Sequence, residues 1–458
     1  MENMAGILES QKSFYRSGKT RDLGFRQAAL RRLEKLICEA EEDMLTALAH
    51  DLGKPLFEGY STDIAPILGD IKFMQKNLPR LARPQKVRTP LALAGGSSRV
   101  IPQPLGIVLV MAPWNYPFQL LFRPLIGALA AGNCVILKPS EHAPACSAVS
   151  RRLIEAAFSP EYVTLIEGGA EEGAALLQHK FNCIFFTGGS RMGRTIMEAA
   201  ARHLTPTILE LGGKSPCIVE PDVNLKLCAR RITWGKFLNA GQTCVAPDYL
   251  LVDARIKDAL MAEMQQAITS FYGVNPQESP DYARIINHIH FNRLSRLMDS
   301  GHILYGGQTD REKLYIAPTL MEKVSWDDPI MGEEIFGPLL PVLEYQDLNQ
   351  ALDIINEHPH PLALYLFSQD QRIQEMVLQK TTSGGVCLND TVSHLLPHGL
   401  PFGGVGESGK GAYHGEDSFF CFSHRRSVFK NSTALDLKQK YPPYRLSLNK
   451  IKALLRLT

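Results

Sequence analysis

Short, nearly continuous apolar runs recur at Ile107–Met111, Cys134–Leu137, Val163–Ile166 and Cys183–Phe186. Helical stretches lie between them, near Pro124–Ala131, Pro144–Ala157 and Glu171–His179. A strand that is apolar on both faces has to be covered on both faces, which a parallel sheet flanked by crossover helices achieves. A helix over Arg191–His203 then leads into a strand at Pro206–Glu210. After Gly213 a second series of the same texture begins: Pro216–Val219, a helix through Leu225–Phe237, Tyr249–Val252, a helix through Lys257–Phe271, and strands near Thr319–Val324, Leu340–Glu344 and Ala363–Phe367. The 458 residues exceed what one compact core holds. The expected fold is α/β, with two doubly wound parallel-sheet domains.

The flanking regions read differently. Apolar positions at Leu33, Leu36, Ile37, Ala40, Met44, Leu45 and Leu48 trace one helical stripe across Arg21–His50, ending before Gly53-Lys54-Pro55. A second helical pattern covers Asp63–Leu81, and Arg83–Gly96, rich in proline, glycine and basic residues, reads as an extended excursion. Asp390–Gly415 reads as loops. The last 34 residues, from Arg425, hold nine Lys or Arg and one acidic residue, with Leu448, Ile451, Leu454 and Leu455 on a weak apolar face. A solvated arm, or one lying on a neighbouring subunit, is the favoured reading; a peripheral membrane contact is the alternative.

A net charge of +2 argues against a surface built for nucleic acid. Neither a signal-peptide core nor a bilayer-length apolar run is evident. The nine cysteines form no CxxC pair, so neither a structural metal nor a disulfide framework is expected, and a cytoplasmic location fits.

Several short stretches could carry chemistry. Asn239-Ala240-Gly241-Gln242-Thr243-Cys244 sets a thiol among small and polar residues, downstream of an isolated carboxylate in Leu209-Glu210-Leu211-Gly212-Gly213-Lys214. A thiol nucleophile and a carboxylate base together could form a thioester and then hydrolyse it. Asn115, in Pro113-Trp114-Asn115-Tyr116-Pro117, is a candidate oxyanion donor or a structural turn residue. Lys138-Pro139-Ser140-Glu141 stands at the carboxyl end of a strand, where open sheets place ligands. No GxGxxG follows any of these strands. The turn Thr187-Gly188-Gly189-Ser190-Arg191-Met192-Gly193 instead offers small residues at a helix N-terminus, suited to a phosphate. Glu333-Glu334-Ile335-Phe336 places two carboxylates before an aromatic.

Taken in order, PWNYP, KPSE, FTGGSRMG, LELGGKSP, NAGQTC, EEIFGP and LPFGGVGESG resemble the aldehyde dehydrogenase superfamily from about Phe14 to Pro443. LTPTILELGGKSPC, GQTCVAPDY and PFGGVGESGKGAYHGEDSFFCFSHRRS look like its class 3 branch, which includes fatty and aromatic aldehyde dehydrogenases. The resemblance implies a modified Rossmann NAD(P)-binding domain over 1–82 and 100–210 and a catalytic domain over 211–400. It further implies a small β oligomerisation arm over 83–99 and 401–430, ahead of the basic tail 431–458, and a homodimer. It makes Cys244 the nucleophile, Glu210 the general base and Asn115 the oxyanion donor. Lys138 and Glu141 would meet the adenosine ribose, and Thr187, Gly188, Gly189 and Gly193 would lie near the pyrophosphate. Glu334 and Phe336 would hold the nicotinamide ribose and ring, Trp114 and Leu211 would also meet the cofactor, and Tyr116 would line the substrate pocket. Gly189 departs from the serine or asparagine of many relatives.

NAD is the expected cofactor, since Glu141 would repel a 2′-phosphate; NADP is the alternative. The expected reaction is oxidation of an apolar aldehyde, of medium to long chain, aromatic or apocarotenoid-like, to the acid. Transfer of the thioester to CoA or phosphate, a cofactor-free cysteine hydrolase, and a non-catalytic binding role are the rival readings.

Overall fold

The computed structural model describes residues 4–434, 436 and 438–455. Two large sheets organise the chain. The first runs, strand by strand, Gly409–Lys410, Thr207–Glu210, Cys183–Thr187, Ile107–Met111, Cys134–Lys138 and Val163–Leu165. All neighbours are parallel except Gly409–Lys410, which pairs antiparallel with Thr207–Glu210. Every residue of Cys134–Lys138 and of Cys183–Thr187 is buried, as strands covered by helices on both faces must be.

The second sheet runs His302–Tyr305, Thr319–Glu322, Leu339–Tyr345, Tyr249–Asp253, Pro216–Val219, Ala363–Phe367 and Gly385–Leu388. It is parallel throughout except for the antiparallel edge strand His302–Tyr305. The α/β class with two parallel sheets is therefore what the chain forms.

A third sheet is antiparallel and stands apart from both. Ser423–Lys430 pairs along its length with Ser97–Pro104, and Gln85–Val87 pairs with the other edge. Val87 and Phe429 are exposed on this sheet. Residues 401–430 therefore contribute to two sheets: Gly409–Lys410 closes the edge of the first, and only Ser423–Lys430 joins the arm.

The stripe across Arg21–His50 is broken where one helix was expected. Asp22 caps Leu23–Glu39 by accepting from the Phe25 N–H at 2.7 Å, and the chain leaves helical geometry at Ala40 (φ −101°, ψ 11°). It restarts as Glu41–Leu52, whose first turn carries Glu41, Glu42 and Asp43, where negative charge suits the helix dipole. Gly53, at φ 58°, ends it. The next long helix is Ala65–Leu81, preceded by a wide turn at Tyr60–Ile64. Its Asp70 meets the buried guanidinium of Arg123 on helix Gln119–Ala131 through two bonds, 2.7 and 3.2 Å. Removing one partner of such a pair would cost about 3–5 kcal/mol.

Beyond Lys430 the chain is largely exposed, and Leu448–Leu455 is helical. Of the apolar face expected there, Leu448 is exposed and Ile451 half-buried; the side chains of Leu454 and Leu455 lie outside the described residues.

Candidate active site

The strand order of the first sheet reverses between Ile107–Met111 and Cys183–Thr187, with Cys134–Lys138 and Val163–Leu165 to one side and Thr207–Glu210 to the other. Ligands of open α/β sheets bind at the carboxyl ends of strands beside such a switch. The turns PWNYP, KPSE and TGGS and the carboxylate of Glu210 all stand at these ends. A cleft of about 630 Å³ opens there, lined by Pro113, Lys138, Glu141, Thr187, Gly188 and Gly189 among others.

Lys138 is buried, and its ammonium donates to the Gly168 carbonyl at 2.6 Å; Glu141, half-exposed, lies 3.8 Å from it. The Thr187 hydroxyl is buried with no partner among the described residues. Gly189 precedes helix Ser190–Ala201, and a Cβ there would meet nothing within 4 Å. Open space beside helix N–H groups suits a phosphate, and nothing steric requires glycine at that position. Gly193 is different: a Cβ would press on Leu211 at 2.8 Å, so it serves helix packing rather than the cleft. A GxGxxG spacing does occur at Gly404–Gly409, but in a loop whose Ser408 bonds back to Val405, with no strand feeding a helix. The cleft, the orphaned hydroxyl and the open helix terminus fit a dinucleotide.

The nucleophile candidate sits on a turn held in an unusual conformation. Asn239 (φ 53°), Ala240 (φ 51°) and Gly241 (φ 75°) are left-handed in succession, a strain that persists only where the surroundings over-determine it. Here they do. The Asn239 N–H donates to Glu58 Oε1 at 2.8 Å, and the Gln242 amide donates to the Asn239 and Arg284 carbonyls at 3.0 and 2.9 Å. Gln242 Oε1 also accepts from the Ile286 N–H at 3.0 Å. A side chain on Gly241 would collide with the Gly337 carbonyl, 2.2 Å from its Cβ, so this turn and the EEIFGP turn touch backbone to backbone.

Asn115 is brought against this turn. Its Nδ2 donates to the Gln242 carbonyl at 3.0 Å, while its own carbonyl accepts from Asn239 Nδ2 at 2.9 Å and from Lys54 Nζ at 3.1 Å. Tyr116 pairs its hydroxyl with that of Thr243 at 2.6 Å, one residue before the thiol. Trp114 packs on Phe336 (5.4 Å between ring centroids) and on His290 (5.0 Å).

Glu210 is buried, and neither of its oxygens meets an N–H or O–H donor among the described residues. Burial pushes its carboxyl up to about 8, and the Cys244 thiol opposes that rise. The thiol in turn is held well above its ordinary range, chiefly by burial and then by Glu210 and Glu334. Glu334 is pushed to about 8 by burial and by Asp248. Its carboxylate folds over Gly212, where a Cβ would lie 2.0 Å from Oε2, and its Oε1 has no partner among the described residues. Cys244, Glu210, Asn115, Tyr116 and Glu334 thus meet in one place, and Lys138, Glu141, Thr187, Gly188 and Gly189 line the cleft beside it.

Other residues that hold the site were not singled out from the sequence. Lys214 ties down the EEIFGP turn by bonding Asp248 and the Ile330 and Glu333 carbonyls, and Asp248 accepts from the Ile335 N–H. Lys236 is fully buried with its amine unpartnered among the described residues, and burial draws it down to about 8. Lys54, Glu58 and Asp63 lie buried beneath the two turns. Among the described residues no cluster of His, Cys, Asp or Glu is arranged to hold a metal, and no helix is long and apolar enough to cross a membrane.

A parallel-sheet switch point holding a dinucleotide-sized cleft beside a partly exposed thiol and a buried carboxylate defines a nucleotide-dependent oxidoreductase with a covalent intermediate. Residues 6–428 match the aldehyde dehydrogenase family, and the chain belongs to it: it is an NAD(P)-dependent aldehyde dehydrogenase. It is 46% identical over 444 residues to the 4,4'-diaponeurosporen-aldehyde dehydrogenase of Staphylococcus aureus, covering 96% of this chain and 97% of that one. It is 42% identical over 445 residues to a mouse protein named "Aldehyde dehydrogenase, dimeric NADP-preferring", covering 97% and 98%. A substrate-bound structure of Staphylococcus aureus AldH superposes with a TM-score of 0.97 at 45% identity, covering 99% and 100%.

Proposed function

We propose that the chain oxidises an apolar aldehyde to the carboxylic acid through a thioester on Cys244, with Asn115 as oxyanion donor and Glu210 as base. The observation that carries this reading is the convergence of Cys244, Glu210 and Asn115 at one point beside the cleft. The Cys244 thiol gives up its proton to solvent, and the thiolate sulfur attacks the aldehyde carbon. The side-chain amide of Asn115 and the Cys244 N–H then face the developing oxyanion. Bound NAD supplies the hydride acceptor that lets the adduct collapse to a thioester. Glu210 then takes a proton from water. The resulting hydroxide adds to the thioester carbon, and the acid departs as the carbon–sulfur bond breaks. Lys138 and Glu141 would hold the adenosine ribose, Thr187, Gly188 and Gly189 the pyrophosphate. Trp114, Leu211, Glu334 and Phe336 would hold the nicotinamide half. Glu141 favours NAD, although Arg202 lines the same cleft and would suit a 2′-phosphate.

The apolar substrate class is supported by the Staphylococcus aureus relative, named for an apocarotenoid aldehyde. It is also supported by Leu56 and Phe57, both exposed on the helix whose Glu58 holds Asn239. In a chain-length series with NAD and NADP, kcat/KM should rise from acetaldehyde to chains of ten or more carbons. The gain should reach about fourfold per added methylene, the worth of about 0.8 kcal/mol of burial. A flat or falling series would contradict the apolar assignment.

We further assign 1–82 with 100–210 to the nucleotide-binding domain and 211–400 to the catalytic domain. The antiparallel arm is assigned to a homodimer, supported by its open edge at Gln85–Val87 and the exposed Phe429. Sedimentation should give twice the chain mass of 50.9 kDa; a monomer at micromolar concentration would overturn the dimer. The nine cysteines are all free, which supports a cytoplasmic location. The basic tail is read as a solvated arm.

A further inference from the structure

Lys54 stands at the junction of the two catalytic turns. Its ammonium is fully buried, pairs with the equally buried Asp63 at 2.9 Å, donates to the Asn115 carbonyl at 3.1 Å and lies 4.2 Å from the centre of the Tyr116 ring. Asp63 does more than neutralise it: Oδ1 accepts from the Phe118 and Gln119 N–H groups at 3.3 and 3.2 Å, where helix Gln119–Ala131 begins. The middle of the PWNYP turn and the residue that follows it are therefore pinned to one short segment, at Asn115 by Lys54 and at Phe118 by Asp63. Glu58, from the same segment, holds the Asn239 N–H at the start of the nucleophile turn.

A buried lysine costs several kcal/mol in desolvation, and an apolar pair of similar size would pack at least as well. Stability alone therefore gives little reason for an ion pair here. Its geometry supplies one. An asparagine can lower an oxyanion barrier only if its amide is aimed before the reaction starts, and a displacement of about 1 Å can cost about a hundredfold. The Asn115 amide is held at its tip by the Gln242 carbonyl at 3.0 Å, and the backbone it springs from is fixed as well. The Asn115 carbonyl is held from two sides, by Lys54 Nζ and by Asn239 Nδ2.

We propose that Lys54, anchored by Asp63, is a positioning residue for the oxyanion donor, fixing the Asn115 peptide against the nucleophile turn. This rests on the reading of Asn115 as that donor. The charge of Lys54 is neutralised by Asp63, so its effect passes through Asn115 rather than through the field it would exert on the reacting carbonyl.

The test uses the full chain with Lys54→Met combined with Asp63→Asn, which removes both charges together. Lys54→Arg is made alongside; it keeps a charge for Asp63 but displaces the donor from the Asn115 carbonyl. Stopped-flow measurement of the first-turnover NADH burst should show a rate about tenfold or more below the parent, with the NAD dissociation constant within twofold. The distinguishing readout is a cycle with Asn115→Ala. If Lys54 acts through Asn115, adding the Lys54 and Asp63 changes to Asn115→Ala should slow the burst little further. Independent, multiplying losses would overturn the proposal, as would a burst rate within twofold of the parent. Failure of both Lys54 variants to fold and bind NAD would also overturn it, by showing the pair to be a structural requirement. If Asn115→Ala alone left the burst unchanged, the oxyanion assignment itself would fall, a different result from failure at Lys54 only.

Discussion

Cys244→Ala is expected to abolish aldehyde-dependent NADH formation, by about 10⁵-fold or more, while the folded protein still binds NAD. Loss of a covalent nucleophile removes the whole route rather than one contact, which is why such losses dwarf those of single hydrogen bonds. No neighbouring thiol can substitute. Cys217 and Cys228 are buried, whereas Cys244 is partly exposed. NAD binding should survive because the cleft is lined by the turns after Ile107–Met111, Cys134–Lys138 and Cys183–Thr187, not by the nucleophile turn. Stopped-flow absorbance for the hydride step and nucleotide titration for binding separate the two. A burst amplitude above a few per cent of sites would contradict the role of Cys244.

Glu210→Gln should separate the reaction into halves. The first-turnover burst should persist, and steady-state turnover should fall by about 10²–10⁴-fold, the usual worth of a positioned base. The pH dependence follows from the environment of Glu210. Only the carboxylate accepts a proton, and burial places its titration near 8, so the active form grows as pH rises through that value. Parent turnover should accordingly climb between pH 7 and 9, and the Glu210→Gln variant should lack that limb. Unchanged turnover in the variant would refute the assignment.

Much of this was legible in the chain because doubly buried strands leave an unambiguous trace. Cys134–Lys138 and Cys183–Thr187 are apolar throughout for the same reason that they are central. The antiparallel arm left none. Ser97–Pro104 and Ser423–Lys430 carry arginine, serine and proline on partly exposed faces, and their pairing joins residues more than three hundred positions apart. Gly409–Lys410 is a strand only because Thr207–Glu210 lies beside it. The helix break at Ala40 was hidden by an apolar stripe that continues across it.

The motifs named the residues proposed to react but not those proposed to aim them. Lys54 and Glu58 stand beside glycines, in a stretch whose local pattern gives no sign that they are buried. One trace was present. Asp63, Ile67, Asp70, Met74 and Leu78 recur at helical spacing, so two carboxylates share the face that packs inward. Charges in register with an apolar stripe must be paired, and their partners, Lys54 and Arg123, are supplied by other elements. Sequence spacing shows that such partners are needed without showing which they are.

The most direct measurement is the mass of the Glu210→Gln protein, quenched in acid after one turnover with NAD and a long-chain aldehyde and then digested. An acyl group of the aldehyde's chain length should be found on the peptide bearing Cys244, in proportion to the NADH released. NADH released with no adduct, or an adduct on any other residue, would contradict the thioester at Cys244.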